Sequence, residues 1–515
     1  MKNTKAGRFV CIVLLCLQLA AEALSLAVII RLNILPDQYF NILLGVYIFG
    51  MLLTSALVLI PAKKENRGKG RRIIACILAI IIIVLCAVSF KMLSDIYDTM
   101  STITQKPTNS ITRQVYVMWD DPALTLEDAR DYSFGIVENY DTAYTQLAIA
   151  GIEDILDQQI NISTFPSVTS MIDALTDGQC NAIILNSGYI SLLDDMEAYK
   201  DFSDVTRILY HVPIDPSAIE LPTTPTVPED TEPIQTETTD PISAPSVSNT
   251  PFIMYISGSD TRSHYLNVSL SDVNILAVVN PNTHQVLLVN TPRDYYIPNP
   301  YGGGQLDKLT HCGVYGIDCS ILALSNLYDI SIDYYSQINF NGFKTLIDAI
   351  DGVNVYSSTT FTREGTTIYK GENHLYGEAA LIFARERYKL AGGDSARGQN
   401  QMKVIKAVIQ KLTTGTTIIS NYAQILNSME GMFVTSMEMN DISQLVKLQL
   451  KDMPSWNVQS FGVIGNQGSE ITYSMPGQKL SVMYQSKAYI SHAKVLIEKV
   501  LSGETLSEED LKLPS

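Results

Sequence analysis

The sequence is poor in the residues that build metal centres and disulfide frameworks. Four of its seven cysteines, Cys11, Cys16, Cys76 and Cys86, lie inside apolar runs and read as small core residues. Cys180 stands alone. A turn over 313–316 would bring Cys312 and Cys319 together, whereas one continuous helix would set them two turns apart, beyond disulfide reach; the spacing leaves both arrangements open. No CxxC, no HExxH and no clustered His/Cys spacing occurs, which argues against a zinc site. Positive charge is scarce too: 36 Lys and Arg stand against 53 Asp and Glu, a formal charge of −17. Nucleic-acid binding rests on a surplus of cations to neutralise phosphates, so no nucleic-acid partner is expected.

The deficit is uneven. Up to residue 93 there are 11 Lys and Arg against three acids, Glu22, Asp37 and Glu65. The same stretch holds three apolar segments, about 9–30, 40–60 and 73–90, each near the roughly 20 residues that a helix needs to cross a bilayer. A signal peptide would be shorter and alone, so residues 1–93 read as a membrane anchor with three transmembrane helices. The loop "KKENRGKGRR" (63–72) carries six Lys and Arg, and Lys2, Lys5 and Arg8 precede the first span. The positive-inside rule puts both on the cytoplasmic side and the remainder of the chain outside the cell. Glu22, an acid within the first span, is expected to make a helix–helix contact.

Residues 94–215 read as a small extracytoplasmic accessory α/β domain, with strands at 115–121 and 181–186 and an amphipathic helix at 169–178. The helix-then-strand rhythm resembles a lobe of a solute-binding protein. Residues 216–250 form a Pro/Thr-rich linker without Lys or Arg, expected to be extended and disordered. From 251 to 505 the pattern is dense again, ahead of a polar tail at 506–515. Strands are expected near 252–257, 274–280, 285–290, 333–340, 353–356 and 457–464. They interleave with helices near 305–328, 341–350, 376–384, 398–413, 416–428, 440–450 and 490–501. The fold class is therefore α/β, with an α/β/α sandwich as the C-terminal domain.

Within this acidic body, "RERYKLAGGDSARGQNQ" (385–401) concentrates Arg385, Arg387, Lys389 and Arg397 around a Gly-Gly-Asp turn. Read with Asp394 as N-cap, the next helix places Arg397 and Gln401 one turn apart on one face. Guanidinium forks folded back toward a helix N-terminus suit a diphosphate, because Arg grips phosphate oxygens bidentately. The competing reading is a solvated stripe, with Glu386 paired to Arg387 or Lys389 and Asp394 to Arg397. Four other segments favour a site. "GSDTR" (258–262) sets Asp260 and Arg262 at the carboxyl end of a strand, where ligands of α/β sheets bind. Asp272 opens the neighbouring strand, and two such carboxylates suit Mg²⁺. "TPRDYYIP" (291–298) sets Arg293 and Asp294 after another strand, and "GGQLDKLTHCGVYG" (303–316) brings Lys308 to a helix start.

In this order these elements resemble the LytR-CpsA-Psr family of cell-wall phosphotransferases over residues 252–504. The layout of three spans, accessory domain and this domain is similar to its streptococcal capsule-associated members. The resemblance implies a Gram-positive membrane enzyme that moves a glycopolymer, capsular polysaccharide or similar, from an undecaprenyl-diphosphate carrier onto peptidoglycan, with Mg²⁺ as cofactor. Carried over residue by residue, Asp260 and Asp272 match the metal-associated acids and Arg293 the Arg of the PRD element. Arg385, Arg387, Arg397 and Gln401 match the diphosphate clasp, which Arg262 and Lys308 would extend. One departure is Asn400, where the family often carries Arg. Asp260 or Asp294 is a candidate to take the proton of the acceptor hydroxyl. The alternatives are a polyprenyl-diphosphate sensor that regulates envelope or capsule synthesis without turnover, or a lipid-diphosphate hydrolase. The expected partners are the lipid-linked polymer, peptidoglycan, membrane lipid and capsule-synthesis membrane proteins.

Overall fold

The computed structural model describes residues 2–60, 65–104, 113–138, 142–194, 196–212, 214, 247–259, 266, 268–390, 392–414, 425 and 429–513. Hydropathy dictates its first three elements, the helices α1 (Lys2–Leu32), α2 (Asp37–Leu59) and α3 (Glu65–Ile103). Each holds a stretch long and apolar enough to cross a membrane. The third helix outruns the expected span. Its 39 residues, at about 1.5 Å each, reach well past a hydrocarbon core of roughly 30 Å. Neither Gly nor Pro interrupts 91–103, so nothing local stops the helix at the membrane edge. Arg71 donates to the carbonyls of Ala56 (3.1 Å), Leu57 (3.3 Å) and Ile60 (2.8 Å), capping the electronegative end of α2. Glu22 is buried, but its hydrogen bond is not the expected contact between helices: Gln18 of its own helix donates to it at 2.8 Å.

The accessory unit is a five-stranded mixed sheet in the order β3-β2-β4-β1-β5. Its strands are β1 (Arg113–Met118), β2 (Ser133–Val137), β3 (Asn161–Phe165), β4 (Ala182–Asn186) and β5 (Thr206–Val212). Its helices are α4 (Thr142–Leu156), α5 (Val168–Thr176), α6 (Tyr189–Asp194) and α7 (Phe202–Val205). Every residue of β4 is buried, as an uninterrupted apolar run between two layers requires.

The C-terminal unit is built on a six-stranded sheet in the order β16-β11-β6-β7-β8-β17. Its centre is β6 (Phe252–Ser259), β7 (Ser271–Asn280) and β8 (Gln285–Asn290), an antiparallel meander whose second turn is the expected "PNTH". Beyond β8 come the short pair β9 (Tyr296–Pro298) and β10 (Leu306–Lys308), then α8 (Leu309–Cys312) and α9 (Ile317–Tyr328). The continuous helix expected over 305–328 is thus broken. Gly316 sits at φ +93°, a left-handed backbone that ends one turn and opens the next helix. Cys312 and Cys319 fall on either side of the break, and both are free thiols.

Next come β11 (Tyr334–Asn339), parallel to β6, and α10 (Phe340–Ala349). The small strands β12 (Val353–Ser357), β13 (Phe361–Arg363), β14 (Thr366–Ile368) and β15 (Gly371–Leu375) precede α11 (Gly377–Arg385) and α12 (Asp394–Thr413). The helix expected over 416–428 lies outside the described residues except Ile425, as do residues 216–246 of the linker. The chain closes with β16 (Phe433–Thr435), α13 (Met439–Asp452) and β17 (Asn457–Gly462), parallel to β8. An unforeseen hairpin, β18 (Asn466–Thr472) with β19 (Met475–Tyr484), and α14 (Lys487–Ser502) follow. The last residues dock as well: Leu506 is buried and Lys499 pairs with Asp510 at 2.6 Å.

Two apolar seams join these units. Leu32 of α1 and Ile96, Met100 and Ile103 of α3 share a core with α10, α11 and α12, so the anchor is packed onto the C-terminal unit. On another side, Tyr189, Leu192 and Leu193 of α6 join the main core of that unit. Asn186 donates to the Val314 carbonyl (3.1 Å), and Ser191 accepts from the Leu270 amide (3.2 Å).

Candidate active site

One edge of the six-stranded sheet collects the carboxyl ends of β6, β8, β11 and β17 and the start of β7. A cavity of about 660 Å³ opens there, within the range of small-molecule sites. Its charged lining is one-sided. Arg293, Lys308, Arg363, Arg385, Arg387 and Arg397 face two carboxylates, Asp272 and Asp294, an excess of four positive charges in a chain of formal charge −17. Apolar side chains complete the wall, among them Ile338, Phe343, Leu381 and Val404. They sit on β11 and on α10–α12, the helices against which the anchor packs.

The loop after β8 fixes Arg293 and Asp294. Its backbone is tied to α8, with the Thr310 amide donating to the Arg293 carbonyl and the Leu309 amide to that of Tyr295, both at 2.9 Å. Arg293 donates from Nη1 to Asp272 Oδ1. Lys308 Nζ lies 2.5 Å from Asp294 Oδ1, and Arg293 Nε is 3.8 Å from the same oxygen. Burial works to raise the Asp294 carboxyl, but Lys308 and Arg293 together outweigh it and hold the group below its ordinary range. Lys308 therefore stands at the start of α8, as expected, but its amine belongs to an ion pair within the cavity wall.

The clasp is formed by the end of α11 and the start of α12. Gly393 (φ +54°) is the residue before the helix, and Asp394 is its first helical residue, not the expected N-cap. The reason is backbone: Gly392 and Gly393 both hold positive φ, which reverses the chain tightly enough to start the helix one residue earlier. Asp394 turns its carboxylate onto Arg397 one turn along. Burial pushes the Asp394 carboxyl up, against the pull of Arg397. The Arg385 guanidinium lies 4.5 Å from the Phe340 ring centre, and Arg387 lies 4.6 Å from that of Tyr388. Arg387 also donates to the Tyr388 hydroxyl at 2.5 Å; burial works against its charge, but this bond, the Tyr388 oxygen's charge and Asp394 together raise its affinity for the proton. Gln401 lines the cavity on the same face as Arg397.

The solvated-stripe reading fails on burial. Glu386 is 2% exposed and Arg397 7%. Glu386 accepts from the Lys389 amide at 2.9 Å and approaches Arg363 at 3.9 Å, so it pairs with neither neighbouring cation through its side chain. The Asp394–Arg397 pair does form, inside the wall. Asn400 is buried and donates to the Phe383 carbonyl (3.2 Å), which ties α12 to α11.

Of the residues singled out from sequence, Asp272, Arg293, Asp294, Lys308, Arg385, Arg387, Arg397 and Gln401 line this one cavity. Asp260 and Arg262 lie outside the described residues. Arg363 and His311 also line it and were not anticipated. Arg363 comes from the small strand β13 and donates to the Arg385 carbonyl (3.2 Å); nothing near it in sequence marks it. His311 comes from α8, and its signal was present: Asp307 lies four residues before it, at the start of a helix. The accessory unit also reaches the wall, through Leu192 and Met196.

Among the described residues no group of three His, Cys, Asp or Glu side chains gathers to enclose a metal. Asp272 offers one carboxylate at the cavity. That donor set fits a Mg²⁺ that takes most of its oxygens from phosphate and water. It does not fit a cation caged by protein alone.

The LytR_cpsA_psr family model matches residues 223–488, just over half of the chain. An Enterococcus faecalis protein named polyisoprenyl-teichoic acid–peptidoglycan teichoic acid transferase TagU is 34% identical over 197 residues, 38% of this chain and 64% of that protein. A Bacillus anthracis protein of the same name is 30% identical over 198 residues, with the same shares. The chain thus spans slightly less than two thirds of the length of these relatives. Among solved structures, "TagT bound to LIIa-WTA" aligns over 51% of this chain and 95% of that one, at 22% identity and a TM-score of 0.41. Bacillus subtilis TagV aligns over 50% and 99%, at 20% identity and a TM-score of 0.42.

Proposed function

The chain belongs to the LytR-CpsA-Psr family, and from that premise we propose that it is an extracytoplasmic phosphotransferase. It moves a glycopolymer from a polyprenyl-diphosphate carrier, undecaprenyl in kind, onto peptidoglycan. The observation that carries this reading is the cavity itself, a cluster of cations continuous with an apolar wall that packs against the membrane anchor. A lipid diphosphate has the same two halves. The names of the Enterococcus and Bacillus relatives support a wall polymer such as teichoic acid as cargo.

The roles follow from charge and reach. Arg385, Arg387 and Arg397, with Gln401, hold the diphosphate oxygens through charge-assisted hydrogen bonds. Arg293, aligned by Asp272, meets the charge that gathers on the equatorial oxygens during transfer. Lys308, held by Asp294, adds a cation at the same wall. Arg262, in the segment after β6, would extend the clasp. The acceptor is a sugar hydroxyl of peptidoglycan. Its oxygen forms a bond to the polymer-bearing phosphorus while the bridging P–O bond breaks, and polyprenyl monophosphate leaves with the electron pair. Asp272, with Asp260, would hold a Mg²⁺ ion, which when bound neutralises diphosphate charge. The basic 63–72 segment supports an orientation with α2 and α3 joined on the cytoplasmic side.

The test is product analysis with the full-length protein in lipid nanodiscs. Polyprenyl monophosphate should be released together with a new phosphodiester on added peptidoglycan, and removal of divalent cations should stop both. Release at the same rate without acceptor identifies a hydrolase instead. Binding without release identifies a sensor.

A further inference from the structure

We propose that His311, held by Asp307, is the general base that takes the proton of the acceptor hydroxyl; the assignment rests on the transferase reading above. His311 lines the same cavity as Arg293, Lys308 and the arginine clasp. Its Nδ1 lies 2.6 Å from Asp307 Oδ1. Asp307 is fully buried, and the rest of its coordination consists of donors. The Lys308 amide donates to Oδ1 (2.9 Å), while Asn299 Nδ2 (3.1 Å), the Ser474 amide (3.3 Å) and the Ser474 hydroxyl donate to Oδ2. Both carboxylate oxygens are acceptors in these contacts, so the remaining partner, Nδ1 of His311, is the donor toward Oδ1. In the neutral ring Nε2 is then the unprotonated nitrogen, and it has no hydrogen-bond partner among the described residues. An imidazole fixed in this tautomer by a buried carboxylate is the arrangement by which an Asp–His pair activates a hydroxyl.

Among the described residues, the two carboxylates that line the wall are committed. Asp272 receives Arg293, and Asp294 lies against Lys308 and Arg293, which hold it ionised and weakly basic. The ring bonds to Asp307 of β10, and the ionisable groups that share its cavity at this sheet edge include Lys308, Asp272, Arg293 and Asp294. In the step itself, the hydroxyl proton passes to Nε2 as the hydroxyl oxygen bonds to phosphorus. The bridging P–O bond breaks, its electron pair leaves on polyprenyl monophosphate, and the resulting imidazolium is stabilised by Asp307. Asp307 is a positioning residue, and His311 alone touches the substrate.

The experiment compares full-length wild type, His311→Gln and Asp307→Asn in nanodiscs. Geranylgeranyl diphosphate is the binding probe, and acceptor-dependent release of polyprenyl monophosphate is followed against pH. His311→Gln should bind the probe within about twofold of wild type while turnover falls about 10²- to 10⁴-fold. The wild-type rate should decline toward acid as the base takes up a proton, and the residual rate of the variant should lack that limb. Asp307→Asn should also lose turnover with binding kept. A His311→Gln protein with wild-type turnover and the same acid limb overturns the assignment alone. So does a wild-type profile without an acid limb, whether or not either variant folds. A wild type that binds the probe but never releases product overturns the transferase reading, and this assignment with it.

Discussion

Arg387 shows what a single side chain contributes here. Its fork lies beside the Tyr388 ring and hydroxyl, and it makes no ion pair among the described residues. A charge-assisted hydrogen bond contributes about 1.5–3 kcal/mol, so Arg387→Ala should weaken polyprenyl-diphosphate binding roughly ten- to a hundredfold. Arg387→Lys keeps the charge but not the bidentate grip or the stacking, and should recover only part of that loss. Titration of both variants with the lipid checks it; wild-type affinity in each would remove Arg387 from the clasp. At this scale the sequence was most readable where residues of one kind crowd together. The Arg385–Gln401 segment announces itself by charge. Arg363 does not, because only the folding of β13 against the end of α11 brings it to the wall. His311 was readable in principle, yet an Asp and a His four residues apart gain meaning only once the sheet edge sets them beside Arg293.

At the scale of elements, the turn between α11 and α12 decides where the clasp points. Its glycines are there for backbone reasons: Gly392 at φ +108° and Gly393 at φ +54° occupy a region that disfavours any side chain. Gly393→Ala should cost about 1–2 kcal/mol of stability and shift Arg397 relative to Arg385. Thermal unfolding and lipid titration should therefore both move, the second more than clasp-independent properties. A variant that unfolds and binds like wild type would show that the turn does not set the clasp. The long strands of the sheet were legible from apolar runs and turn residues, and β8 falls where its pattern begins and ends. The broken 305–328 helix and the 466–484 hairpin were not. In the first, helical periodicity continues through Gly316, and only the positive φ there reveals the break. In the second, most side chains of β18 and the middle of β19 are exposed or half-buried, and of their apolar residues only Met475, Val482 and Met483 are buried, which leaves little apolar signal to read.

Across the whole molecule, the relation of charge to membrane is the organising feature. An acidic body carries a basic cavity, and the helices that line it also bind the anchor through Leu32, Ile96, Met100 and Ile103. The last turns of α3, past its apolar stretch, pack directly against that wall. The accessory unit adds Leu192 and Met196 to the other side of the cavity, a contribution invisible in sequence because it depends on how two units meet. The measurement that tests this account most directly is mass spectrometry of the lipid that co-purifies with the intact chain from its native membrane. The account predicts a polyprenyl diphosphate bearing saccharide, present with wild type and lost when Arg385, Arg387 and Arg397 are all replaced by Ala. Recovery of only bulk phospholipid, in the same amount with and without those arginines, would contradict it.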